Sequence, residues 1–122
     1  MLQGVLIAES LREGTELADV PLTVIKITRL AVDTIAPGQP RTWTLMEFTA
    51  AESDAAVLAE QLAASLSTTG GWYVDFHTQA ESFVVFPNRI FRHPRGDADG
   101  RRRAQDHGRQ IGIPEAQLDW KD

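Results

Sequence analysis

Between residues 72 and 94 three β-rich segments follow one another with almost nothing between them, and this spacing constrains the chain more than any other feature. The segments are Trp72 to Thr78, Ser82 to Phe86 and Arg89 to His93, with tight turns at Gln79-Ala80 and Pro87-Asn88. Connections this short leave no room for a crossover, so the segments must be antiparallel neighbours. Two-residue turns also fix the register. Phe76 faces Phe83, which faces Arg92; Val74 faces Val85, which faces Ile90. Period-two alternation then places Trp72, Val74, Phe76, Phe83, Val85 and Ile90 on one face, which reads as core. The other face carries Tyr73, Asp75, His77, Ser82, Val84, Phe86, Arg89, Phe91 and His93, a mixture of apolar and titratable groups.

Upstream, Gly4 to Glu9 reads as a short strand and Pro21 to Asp33, rich in β-branched residues, as a long one. Pro37, Gly38, Gln39 and Pro40 break the chain, and Trp43 to Thr49 returns as a hairpin partner. Leu58, Leu62 and Leu66 recur every four residues beside Ala55, Ala59 and Ala63, the apolar stripe of a helix. Thr49 with Glu52 forms an expected capping box, with Ser53 and Asp54 as rival caps, and Gly70-Gly71 ends the segment. A second helix is expected from about Arg101 to Ile111, capped by Asp97 or Asp99, with Ala104, His107 and Ile111 facing inward. Gly108 weakens that helix by about 1 kcal/mol relative to alanine, so tertiary contacts are expected to hold it. The sequence thus predicts one α+β domain over residues 1–122. Its sheet is antiparallel or mixed, of about six strands, in the order strand-strand-strand-helix-strand-strand-strand-helix, with the helices mainly on one face. The first helix, if its flanking strands share the sheet, is a crossover that yields one parallel pair.

At 122 residues the chain is long enough to bury a sizeable core without staples. It contains no cysteine, which excludes disulfides, thiolate nucleophiles and cysteine-based metal sites. No apolar run approaches the roughly 18 residues that cross a bilayer, and the expectation is a cytoplasmic protein with no membrane partner. Residues 1–81 hold 4 Lys/Arg against 11 Asp/Glu, whereas residues 82–122 hold 8 against 6. Nucleic acid is therefore not an expected partner of the whole molecule.

Two groups of residues could carry chemistry. His77, Ser82 and His93 form one row across the meander, the outer Cα atoms about 9.6 Å apart at ordinary strand spacing. Imidazoles leaning inward could share a metal, with Asp75 as third ligand. Partly exposed strand residues with local hydrogen bonds are the commoner outcome, and no cofactor is expected. The second group is Arg92, Arg95, Arg101, Arg102 and Arg103. Three arginines in a helix's first turn oppose the macrodipole, and an anion there would offset the cost. Pairing with Asp106 from Arg102 and Arg103 is the competing arrangement. The segment Asp97 to Gly100 fails as a calcium loop because Gly108 stands where a bidentate glutamate is needed. No P-loop, G-x-G-x-x-G, G-x-S-x-G or H-E-x-x-H motif occurs. Trp120, with Leu118, reads as a plug that docks the tail, the alternative being part of an oligomer contact.

The stretches Trp72 to Thr78, Phe83 to Phe86, Phe91 to Asp97 and the ending Gly112 to Trp120 resemble a family of small uncharacterised bacterial proteins. That resemblance implies no activity and transfers no catalytic residue. The expectation is a non-catalytic binding or interaction domain that associates with itself or another protein through a sheet face or edge. Val84, Phe86 and Phe91 need cover from either the last helix or a second chain. The alternative is a binder of a small anionic ligand, or an enzyme, with a site built from Asp75, His77, His93 and the arginines.

Overall fold

A computed structural model describes residues 1–33 and 35–120. Six strands, β1 (Leu2–Ile7), β2 (Thr23–Ala31), β3 (Thr42–Ala50), β4 (Val74–His77), β5 (Glu81–Phe86) and β6 (Arg89–Pro94), form one sheet in the order β2-β3-β1-β4-β5-β6. Every pairing is antiparallel. The α+β fold and the strand and helix order are those expected from the sequence. β3 and β4 do run in the same direction, but β1 lies between them, so helix α1 (Ala55–Ser65) crosses over β1 and no parallel pair forms.

The meander has the predicted register: Phe76↔Phe83↔Arg92, Val74↔Val85↔Ile90 and His77↔Ser82↔His93. Asn88 accepts the left-handed conformation, φ 59°, that its turn requires. On one face Val74, Phe76, Phe83 and Val85 pack with Leu2, Leu6, Phe48 and the α1 stripe Leu58, Ala59 and Leu62. The expected capping box is not formed. The helix begins at Ala55 with no side-chain cap bond, and the Glu52 carboxylate instead accepts the Gln79 N–H at 3.0 Å, tying the α1 approach to the β4–β5 turn.

The helices do not share a face. Helix α2 (Ala98–Gln110) and the tail cover the opposite side of the meander, where Val84 and Phe86 pack with Ala104, Ile113 and Leu118. Alternation is the reason. Val84 and Phe86 point away from Phe83 and Val85, and each set needs a lid of its own. Asp97 caps α2, accepting the Asp99 and Gly100 N–H groups at 3.2 Å each. The inward stripe is Gly100, Ala104 and Gly108 rather than Ala104, His107 and Ile111. Ile111 is exposed, while His107 rests half-buried with its ring 4.6 Å from that of Phe86. Burial first, and then the nearby Arg89 charge, hold the His107 pKa below its ordinary value. Gly108 is held by tertiary contact, because a Cβ there would come 2.6 Å from a Leu118 methyl.

Trp72 departs from the simple alternation. β4 starts only at Val74, so Trp72 lies before the strand and packs edge-to-face on Trp43, ring centroids 5.2 Å apart, instead of joining the α1 core.

Candidate functional site

The histidine row has the right register and the wrong surroundings for a shared ligand. His93 is buried beneath the first turn of α2, close enough that a Cβ on Gly100 would meet its Cβ at 2.5 Å. His77 is exposed at the sheet's end, in a hollow with Glu52, Gln79 and Arg95. Asp75 lines a different cleft. Among the described residues, no group of three or more histidines and carboxylates is placed to hold a metal.

The arginines are likewise dispersed. Arg92 shares the α1 face with Phe83, its guanidinium 5.0 Å from that ring's centroid and bonded twice to Glu81 at 2.7 and 2.8 Å. Those bonds hold Glu81 below the usual carboxylate range. Arg95 lies past the strand in the hollow with His77. Arg101 to Arg103 belong to α2 on the other side of the sheet, where Arg102 pairs with Asp99 at 2.9 Å. Asp106, the expected partner of Arg102 and Arg103, is instead engaged by Arg109 at 2.6 Å.

What the fold assembles is a cleft that no motif in the sequence marks. Its floor is the exposed side of β1, Val5 and Ile7, and its wall is Trp43, Trp72 and Tyr73. The cleft measures about 260 Å³ and is bordered by Asp75, Gln117 and Asp119. Three chain segments converge to make it. β3 brings Trp43, whose indole N–H donates to the Pro40 carbonyl at 2.8 Å. The turn at Gly70-Gly71, both glycines at positive φ, brings Trp72 and Tyr73. The tail brings Gln117 and Asp119, anchored where the Tyr73 hydroxyl donates to the Gln117 carbonyl and Trp120 packs on the Tyr73 ring at 5.2 Å. Trp120 thus docks the tail, as expected.

Gln39 fixes these segments to one another. It is buried, accepts the Ala36 N–H at 2.8 Å, and donates to the Gly70 carbonyl at 2.6 Å. Its oxygen also accepts from the Gln117 amide at 3.3 Å. In the sequence this segment reads only as a chain break, Pro37-Gly38-Gln39-Pro40, in which a glutamine is unremarkable.

Burial, and after it the negative charges of Asp75 and Asp119, push the Tyr73 phenol well above its ordinary pKa of 10.0. The sign follows from linkage. A phenol whose folded pKa is raised stabilises the fold below its unfolded value, and that contribution is lost as pH rises from about 10 toward the folded value. Tyr73 is the sole tyrosine. Tyrosinate absorbance is therefore expected to stay flat through the ordinary titration range and to rise together with loss of tertiary circular dichroism. A simple titration centred on the ordinary value in the folded protein would contradict the burial of this ring.

No family model, no curated protein and no solved structure matches this chain. Fold and cleft define an antiparallel α+β domain with an exposed edge strand, β2, and a cleft against β1. No described helix is long and apolar enough to cross a membrane.

Proposed function

We propose that this chain is a non-catalytic interaction domain that associates with a second copy through the outer edge of β2. The residues that first suggested association, Val84, Phe86 and Phe91, are packed with α2 and the tail, so the supporting surface lies at the other end of the sheet. β2 is nine residues long, beyond the usual five to six, and lies at the sheet's edge. Eight of its nine residues are exposed; Ile25 retains 59% and Ile27 63% of its accessible surface. The exposure of these two isoleucines is the observation that carries the reading.

Edge strands are ordinarily blunted by charge, bulges or shortness. β2 has a bulge between Val24 and Lys26, but the ladder to β3 is regular from Lys26 to Ala31. The Lys26 ammonium leans back over β3, 3.7 Å from Glu47, rather than guarding the edge. An antiparallel pairing centred on Ile27 sets that residue against its own copy. It also places Lys26 opposite Thr28 and Arg29 opposite Ile25, so like charges do not meet. Sedimentation velocity on the full chain at rising concentration is expected to give a dimer. Ile27→Asp is expected to give a folded monomer whose melting temperature no longer rises with protein concentration, as that of the wild-type dimer does; the side chain it replaces is mostly in solvent, so the fold itself is kept. A wild-type monomer up to millimolar concentration, or a dimer that survives Ile27→Asp, overturns the proposal.

A further inference from the structure

The geometry points to the cleft between β1, β3 and the tail as a binding site for an organic cation, a guanidinium or alkylammonium group on a short apolar stem. It goes beyond the pairing of β2 and uses none of that strand's residues.

The argument begins with what lines the cleft. All of its aromatic wall, Trp43, Trp72 and Tyr73, is electron-rich at the ring faces, and the two tryptophans meet at an interplanar angle of 62° to form a corner. A cation against such rings is attracted by their quadrupoles, tryptophan most strongly. The charges on the border are both negative, Asp75 and Asp119, and no lysine, arginine or histidine lines the cleft among the described residues. An anion would meet repulsion there. A neutral apolar ligand would have to tolerate two carboxylates. A cation with an apolar stem satisfies both parts, the stem against Val5 and Ile7 and the head between rings and carboxylates.

Tyr73 stands with the two acids in the lining, and its hydroxyl is committed to the Gln117 carbonyl. That bond fixes the ring and the tail together, so the two acids stand on a preformed frame. The surrounding chain is acidic as well, with residues 1–81 holding 11 Asp/Glu against 4 Lys/Arg, which favours approach of a cation. The volume, about 260 Å³, lies just below the range of drug-sized pockets and suits a single side-chain-sized group.

The test uses the full chain with agmatine as a free cation, N-acetylarginine amide as a peptide-borne one, and N-butylurea as a neutral analogue. Indole N–H resonances of Trp43 and Trp72 and intrinsic fluorescence report binding. Saturable shifts are expected with the two guanidinium compounds and not with N-butylurea. Saturable binding of either guanidinium compound supports the site, the singly charged N-acetylarginine amide being the stricter comparison with N-butylurea because agmatine carries a second positive charge. The Asp75→Asn/Asp119→Asn double variant is expected to bind at least about tenfold more weakly. Equal response to N-butylurea, absence of saturation at millimolar agmatine, or an undiminished titration in a folded double variant overturns the inference. The comparison with the neutral analogue stands even if the double variant does not fold.

Discussion

Phe83→Ala is expected to destabilise the domain by about 3–5 kcal/mol, the usual cost of emptying a phenylalanine site in a packed core. Phe83 is 2% exposed and stacks on Phe76 with centroids 5.2 Å apart, and Phe76 in turn meets Phe48 edge-to-face at 6.4 Å. These three rings come from β5, β4 and β3, so the cavity would open in the middle of the face that α1 covers. Surrounding leucines sit on a helix and strands that cannot collapse into the space independently, which places the cost toward the upper end. Against a total stability of about 5–15 kcal/mol, the melting temperature should fall on the order of 10–20 °C. The Glu81–Arg92 pair above the ring is exposed and adds little by itself. Thermal and urea unfolding measure the effect; a loss below about 1 kcal/mol would mean that Phe83 is not central to this core.

This residue was legible from sequence because its position depends on local arithmetic alone. Two short turns set the register of β4, β5 and β6, and the period of two then sorted Phe83 and Val85 from Val84 and Phe86. The α1 stripe was legible for the same reason, since leucines at every fourth position from Leu58 to Leu66 are a property of one short contiguous segment. The place of β1 between β3 and β4 was not. It depends on which partner a short apolar strand finds across about 40 residues, and β1 pairs with β4 at only Gly4↔Phe76. Gly4 itself shows how the central position is accommodated: a Cβ there would lie 2.5 Å from the Phe48 ring.

The cleft was illegible for a related reason. Trp43, Trp72 and Asp119 are far apart in sequence and were assigned separately to a strand, a core face and a tail. Their convergence follows from Gln39 bonding to both the Gly70 turn and Gln117, long-range contacts that no periodicity encodes. Conversely, the histidine row and arginine cluster were assembled from sequence proximity and register. The fold put a helix over His93 and sent Arg92 to the face opposite α2, because adjacent residues on a strand point to opposite sides.

Gly100→Ala provides a test in which helix propensity and packing predict opposite signs. In an exposed helix the replacement would stabilise by up to about 1 kcal/mol. Here the added Cβ would lie 2.5 Å from the His93 Cβ and 2.6 Å from its Cγ. Those atoms are the root of a buried side chain on β6 and cannot swing aside as a methyl tip could. Either α2 must lift from the sheet or β6 must shift. Overpacking of this kind costs about 1–3 kcal/mol, so the variant should be less stable than wild type, with Gly100→Val worse again. Gly108→Ala offers the internal comparison, because its Cβ would meet a Leu118 methyl at 2.6 Å, a group with a rotamer to change. The expected order of melting temperatures is wild type, then Gly108→Ala, then Gly100→Ala, then Gly100→Val. If Gly100→Ala melted above wild type, propensity would have outweighed contact, and α2 could not be lying against His93 as closely as its glycines permit.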